Sequence, residues 1–318
     1  MKWLLMLAAL VSLSTSGVTQ AADKVWRLGV LSLIDSPPTL GIALPELAKR
    51  GFVEGKNLVL DTRSGTEDQI SQVASDLVAA NPDVILAVSD WAVAPALDAT
   101  KSIPVVASPM GADPVALGIA KSWARPGGNF TGVTLIAPDL EIKRVALLRE
   151  TIPSARRIAL LSMHRKVTEP GEAPIRAEMA ASNMQLVEFY LDDPDQAERA
   201  FSEMRSGKVE GVVIVSVPEL NVHLQRLAEL AIQSGLPTIC GFRQGADQGC
   251  LIGYGPDLAE LIRQAADDVA RIFQGASPGD LPIQGPTHYG FGVNLKTAKA
   301  LGLTVPQSLL GQADGVIE

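Results

Sequence analysis

Aromatic side chains make up only 4% of this 318-residue chain, which holds three histidines and two cysteines. Each scarcity excludes something. His164, His223 and His288 are scattered, and Cys240 and Cys250 stand at no metal-ligand spacing from them, so no metal site is expected. Lysine and arginine number 27 against 35 acidic residues, the net charge is −8, and no basic run occurs. An acidic, aromatic-poor chain argues against nucleic acid and anionic membrane surfaces as partners. There is no G-x-S-x-G elbow, no P-loop, no G-x-G-x-x-G after the first strand and no H-E-x-x-H. No catalytic residue and no cofactor is therefore expected.

What is present begins with a leader. Lys2 precedes an apolar run from Trp3 to Leu13, then small polar residues, then Thr19-Gln20-Ala21. That order is a secretory signal peptide cut after Ala21, and its run is too short to span a bilayer. Taking 21 residues from 318 leaves 297, enough for two domains. No cysteine follows the apolar run, so an exported protein without a lipid anchor is expected, and the chain is separately read as a monomer. In the oxidising compartment that an exported chain meets, Cys240 and Cys250 either close a short loop as a disulfide or sit as two small apolar residues in neighbouring strands.

After the leader, strands and helices alternate. Val25 to Leu33, Asn57 to Arg63, Asp83 to Val88 and Ile103 to Ala107 read as strands, and Thr66-Glu67-Asp68-Gln69 as a capping box. Asp113-Pro114 reads as an N-cap followed by proline at the first helical position. Pro126-Gly127-Gly128-Asn129 breaks both structures, and Thr131 to Ile136 reads as an extended crossing to a second lobe. There the rhythm restarts, with strands at Arg157 to Leu161, Gln185 to Leu191, Val209 to Val217 and Leu236 to Cys240. Gly249 to Asp257 is the return crossing, a long helix runs from Pro256 to about Gln274, and Gly275 to Pro282 is a third crossing. The expected lobes are 22–130 with 254–281, and 131–253 with 282–318. The fold class is α/β, with a parallel sheet in each lobe. Valine at Gly253 or Gly255 is expected to shift an open–closed balance while leaving each lobe folded.

In open parallel sheets a ligand sits beyond the carboxyl ends of the strands. That rule selects Ser32, Ser89, Asp90, Trp91 and Asp113 in the first half, and His164, Pro218, Glu219 and Arg243 in the second. Tyr254, on the return crossing, completes the set. Trp91 either stacks on an apolar ligand body or packs between lobes. Arg243 either pairs a carboxylate bidentately or is a solvated loop charge. Asp90, Asp113 and Glu219 are candidate partners for an ammonium, and Asp113 is more simply an N-cap.

Ala124-Arg125-Pro126-Gly127-Gly128-Asn129, followed by Thr131-Gly132-Val133, resembles the signature crossing of a known family. These are the ABC-transporter substrate-binding proteins related to tryptophan-binding lipoproteins. Tyr254-Gly255-Pro256-Asp257-Leu258, Ala265-Ala266-Asp267 and Asp280-Leu281-Pro282 resemble its return helix, and Asn294 to Pro306 is similar to its C-terminal motif. The resemblance implies a type I periplasmic binding fold, two Rossmann-like lobes joined by three hinge strands. It also implies capture of a small molecule, by default an amino acid or related carboxylate, and delivery to an ABC transporter permease. An exported ligand sensor acting on a receptor, or an exported enzyme, is the alternative. The chain departs from the family at Ser89-Asp90-Trp91-Ala92-Val93 and at Met163-His164-Arg165-Lys166.

Overall fold

The computed structural model describes residues 24–35, 38–135, 137–163 and 173–318; the leader and His164 lie outside the described residues. The first half runs β1 (Trp26–Ser32), α1 (Thr39–Lys49), β2 (Leu58–Ser64), α2 (Ile70–Ala79), β3 (Val84–Ala87), α3 (Asp90–Ala99), β4 (Val105–Met110) and β5 (Phe130–Thr134). Its five strands form a parallel sheet of order β2-β1-β3-β4-β5.

The second half continues with α4 (Ala137–Thr151), β6 (Arg157–Met163), α5 (Ala173–Ala181), β7 (Gln185–Leu191), α6 (Ala197–Ser206), β8 (Gly211–Ile214), α7 (Pro218–Val222), α8 (Leu224–Gln233), β9 (Thr238–Cys240), α9 (Gln244–Asp247) and β10 (Ile252–Pro256). After these come α10 (Leu258–Phe273), β11 (Tyr289–Asn294), α11 (Leu295–Ala300), α12 (Gln307–Leu310) and β12 (Gly315–Ile317). The second sheet has the order β12-β11-β10-β9-β8-β6-β7, and the β10–β11 pair is antiparallel. Among the described residues no helix is long and apolar enough to cross a membrane.

The long helix α10 follows β10 in the chain yet packs on the first sheet. Leu261, Ile262, Ala265, Val269, Ile272 and Phe273 recur at helical spacing, and that stripe is buried with Leu28, Val30, Leu47, Leu86 and Val106. Burial of each large member contributes roughly 1.5–3 kcal/mol. Asp257 caps the helix by accepting from the Glu260 amide at 3.1 Å.

The chain leaves the first sheet after Thr134, later than the limit at residue 130 read from the sequence. Gly132 explains the extra strand. Without a side chain it lies directly against the Ala107 backbone, and β5 pairs with β4 there. The third segment also stays longer. The Gln284 amide donates to the Gly132 carbonyl at 3.0 Å, and the Gln284 carbonyl accepts from Thr134 at 2.9 Å. The change of sheet therefore falls between Gln284 and Tyr289. Asp113-Pro114 opens turns rather than a helix, because Asp113 Oδ1 accepts from the Val115 amide at 2.8 Å and folds the chain back locally. Of the capping box only the reciprocal half forms: Gln69 Oε1 accepts from the Thr66 amide at 3.2 Å, and α2 starts at Ile70.

Cys240 and Cys250 form a disulfide with Cα atoms 6.3 Å apart, closing the loop that carries α9. Removing a loop of this length as a cross-link costs about 2–3 kcal/mol in the chain-entropy account. The Cys240→Ala/Cys250→Ala variant is expected to unfold at correspondingly lower urea. A midpoint equal to that of the parent would show that the bridge does not constrain the unfolded chain.

Asp268 is fully buried on α10, where Gln284 Nε2 donates to it at 3.3 Å and Arg271 Nη1 lies at 3.7 Å. Burial raises its pKa from 3.8 to about 7 against the lowering pull of Arg271 and Gln284. Between those values the folded state holds a proton that the unfolded chain has lost. This contribution is fully present below 3.8 and is lost as pH rises through about 7. Asp268→Asn is therefore expected to gain on the order of 2–3 kcal/mol over the parent on going from about pH 5 to pH 8. Urea unfolding of both proteins at the two pH values measures it; a pH-independent difference sinks the assignment.

Candidate functional site

Thr134 ends β5 and Ala137 begins α4; Pro256 ends β10 and Leu258 begins α10. Connections this short place the carboxyl ends of both sheets on one gap, because two or three residues span only about 10 Å. Phe242, just past β9 of the second sheet, confirms the closeness. Its ring is buried with Val133, Leu135 and Leu261 of the first layer, and its backbone is left-handed at φ 67°.

Serines cluster at these strand ends. Ser32, Ser64, Ser89 and Ser108 mark the ends of β1 to β4, and Ser162 and Ser216 those of β6 and β8. Ser32 accepts from the Ile34 amide at 3.2 Å, and Ser162 donates to the Met163 carbonyl at 3.4 Å. The Ser108 and Ser216 hydroxyls are buried and have no hydrogen-bond partner among the described residues. A run of hydroxyls at the ends of two sheets suits a small polar ligand.

Ser89 opens α3 at φ 73° and ψ 169°, a conformation that non-glycine residues hold only under constraint from their surroundings. Next to it, the Asp90 carboxylate accepts from the Gly111 amide at 2.9 Å and the Ala112 amide at 3.1 Å. Burial raises its pKa, opposed by those amides. Asp90 thus braces the tip of β4 against the start of α3, and each carboxylate oxygen is engaged with the backbone rather than set aside for an ammonium. Trp91 is half-buried one residue on. Asp113 caps its own turn. Glu219 is buried in the first turn of α7, which Pro218 opens.

Arg243 points elsewhere. Its Nη2 donates to Asp247 Oδ2 at 3.2 Å, and a Cβ added at Gly315 of the edge strand β12 would lie 2.5 Å from its Nη1. The guanidinium therefore lies along β11 and β12. Tyr254 is half-buried, stacked on Tyr289 at 6.2 Å between centroids and edge-on to Phe291 at 6.3 Å. Burial, with Tyr289 beside it, pushes its phenol pKa up. Gly253 is no simple pivot, because a Cβ there would lie 2.5 Å from the Phe242 carbonyl oxygen and 2.6 Å from that of Arg243. Valine at 253 would displace the α9 turn within the second layer itself.

The buried cation at the gap is Arg144, on α4. Only 2% of its side chain is exposed; Nε donates to the Tyr254 carbonyl at 2.9 Å, and Nη1 pairs with Glu141 one turn earlier. Sequence reasoning passed over it. The readable signal was position: Leu140, Glu141, Arg144, Val145 and Leu148 share one buried stripe of α4, so two charged residues stand where the helical period calls for apolar ones.

Against known proteins, the family described as ABC transporter substrate binding protein matches residues 41–317. A tyrosine-binding protein of Clostridioides difficile is 25% identical over 293 residues, covering 89% of this chain and 82% of that protein. The structure superposes on a conserved domain protein from Vibrio cholerae with a TM-score of 0.82 and 24% identity, over 92% of this chain and 100% of the other. It also matches an ABC domain from Streptococcus pneumonia in complex with L-Trp, with a TM-score of 0.79 and 22% identity, over 92% and 99% of the two chains. With a family match over residues 41–317, which takes in all three crossings, the chain belongs to the ABC transporter substrate-binding proteins.

Proposed function

We propose that this substrate-binding protein captures an amino acid with an aromatic side chain in the gap between its two sheets. The first lobe is then residues up to Thr134 with 257–284, and the second is 137–256 with 285–318. The observation that carries the reading is the convergence of serine-rich strand ends from both sheets on one gap, with half-buried Trp91 at its edge. The tyrosine-binding relative and the L-Trp-bound neighbour support an aromatic ligand over other small polar ones. Capture works by closure: a ligand touching both lobes binds the closed form better and shifts the population toward it. Moving from about 1:99 to 99:1 requires roughly 5.5 kcal/mol of differential affinity. The protein acts in the periplasm, without a lipid anchor and without turnover of what it binds.

Calorimetry with L-tyrosine and L-tryptophan tests this, alongside mass spectrometry of what co-purifies. At least one of the two is expected to bind, and Trp91→Ala to weaken it about tenfold, the worth of one lost aromatic contact. Arg243→Ala should cost no more than about 1 kcal/mol, since that side chain is half-exposed and already paired with Asp247. Binding of neither amino acid while a non-aromatic one co-purifies would overturn the aromatic reading.

A further inference from the structure

We propose that Phe242 is a positioning residue for ligand capture: its ring, carried by the second lobe and seated in the core of the first, is the pivot on which the two lobes close. The inference deepens the closure step of the reading above and rests on that step. Cys240 and Cys250 are buried in the core of the second sheet, with Ile214, Leu224 and Leu227. Two residues past Cys240, Phe242 is buried in the other core. Among the described residues it is the one apolar side chain of either lobe that belongs to a core of the other. That same core holds Val133 and Leu135 on the first crossing, Leu261 in the first turn after the second, and Leu281 ahead of the third. A point beside the crossings moves least when the lobes rotate about them, so a ring there stays seated in both the open and the closed form.

The turn that carries the ring is held from several sides. A backbone φ of 67° is unfavourable for a residue with a Cβ and persists only where the surroundings over-determine it. Here the Phe242 carbonyl accepts from the Gly245 amide at 3.0 Å, and the Gly245 carbonyl accepts from the Cys250 amide at 3.0 Å. The disulfide closes the same loop at Cys250. From β10 the backbone packs directly against the turn, since a Cβ would lie 2.5 Å from the Phe242 carbonyl oxygen at Gly253 and 2.8 Å from its nitrogen at Gly255. A close-packed ring on a rigid turn permits rotation of one lobe on the other and resists sliding and twisting. Restricting the empty protein to that rotation lowers the entropy lost on closure and enlarges the fraction able to close on a ligand.

Pulsed EPR between nitroxide labels at Ser75→Cys on α2 and Gln225→Cys on α8, both exposed, reads the interlobe distance in the protein without ligand. Phe242→Ala is expected to broaden that distribution, and Phe242→Leu, which keeps an apolar plug, to broaden it less. Phe201→Ala empties a buried aromatic site within the second-sheet core alone, so it should lose stability and keep the wild-type distribution. Cys240→Ala/Cys250→Ala should broaden it, because the ring keeps its socket while its turn is freed. Calorimetry with L-tyrosine and L-tryptophan should show Phe242→Ala about tenfold weaker, as for a tenfold smaller competent fraction, and Phe201→Ala close to wild type. A wild-type distribution in Phe242→Ala overturns the pivot; if that variant does not fold, Phe242→Leu decides in the same way. An unbroadened distribution without the disulfide overturns the part of the bridge, and a broadened one in Phe242→Ala with unchanged affinity overturns the part of the ring in capture. If neither amino acid binds wild type, the aromatic reading falls by itself and the EPR result alone decides the pivot.

Discussion

Gly132→Val is expected to lower stability by roughly 4 kcal/mol or more, combining backbone strain with overpacking against a rigid neighbour. Two independent features require glycine there. Its φ of 138° lies in the range that residues with a Cβ avoid, and an added Cβ would sit 2.5 Å from the Ala107 carbonyl oxygen. Backbone cannot swing aside as a long side chain can, so β5 must part from β4. The Gln284 bridge would follow, since it is hydrogen-bonded to Gly132 and Thr134. Thermal unfolding should drop by on the order of 10 °C for such a loss. Gly128→Ala, where an added Cβ meets nothing within 4 Å, is the control and should lose much less despite its φ of 64°. A Gly132→Val protein as stable as that control would mean that β5 does not pair as described.

Arg144→Leu is expected to cost about 3–5 kcal/mol, the penalty for leaving one member of a buried ion pair alone. The loss is not the worth of the pair itself. It comes from the Glu141 carboxylate left in a buried site without its cation, and from a Tyr254 carbonyl without its donor. The double variant Glu141→Leu/Arg144→Leu should therefore recover most of the stability, because apolar replacements of a buried pair are often neutral or better. Urea unfolding of the four proteins in the cycle gives the coupling directly. If the double variant is no more stable than Arg144→Leu, the pair is not the source of the cost.

Arg144 and Arg243 show where reading residues one at a time stops. Arg243 was singled out because it follows a strand and is flanked by turn residues, a local pattern. Its side chain is claimed by Asp247 and by the groove over Gly290 and Gly315, and Gly315 belongs to β12, a strand with no local signal strong enough to be expected. Arg144 was passed over because a charged residue within a helix is usually solvated. Its burial depends on Tyr254, 110 positions away, and on glycines at 241 and 255. Asp90 tells the same story: the rule of strand ends selects it as a ligand contact, whereas the structure shows its carboxylate accepting from the amides of Gly111 and Ala112.

The sequence by itself determined the alternation of buried strands and striped helices, two sheets of mostly parallel strands, the long helix read from Pro256 and formed from Leu258, and the motif by which the family is recognised; the antiparallel β10–β11 pair was not among the expectations. The features it determined are carried by hydrophobic period, capping residues and glycine–proline breaks within a few residues of one another. Only the tertiary structure decided that Cys240 and Cys250 pair, that β5 stays in the first sheet until Thr134, and which arginine is buried at the gap. Each of those outcomes turns on contact between segments far apart in the chain. Thr131, for instance, donates its hydroxyl to the carbonyl of Leu281, 150 residues on. Local propensity carries no information about which distant backbone will stand opposite a given side chain; only close packing of the finished fold supplies it.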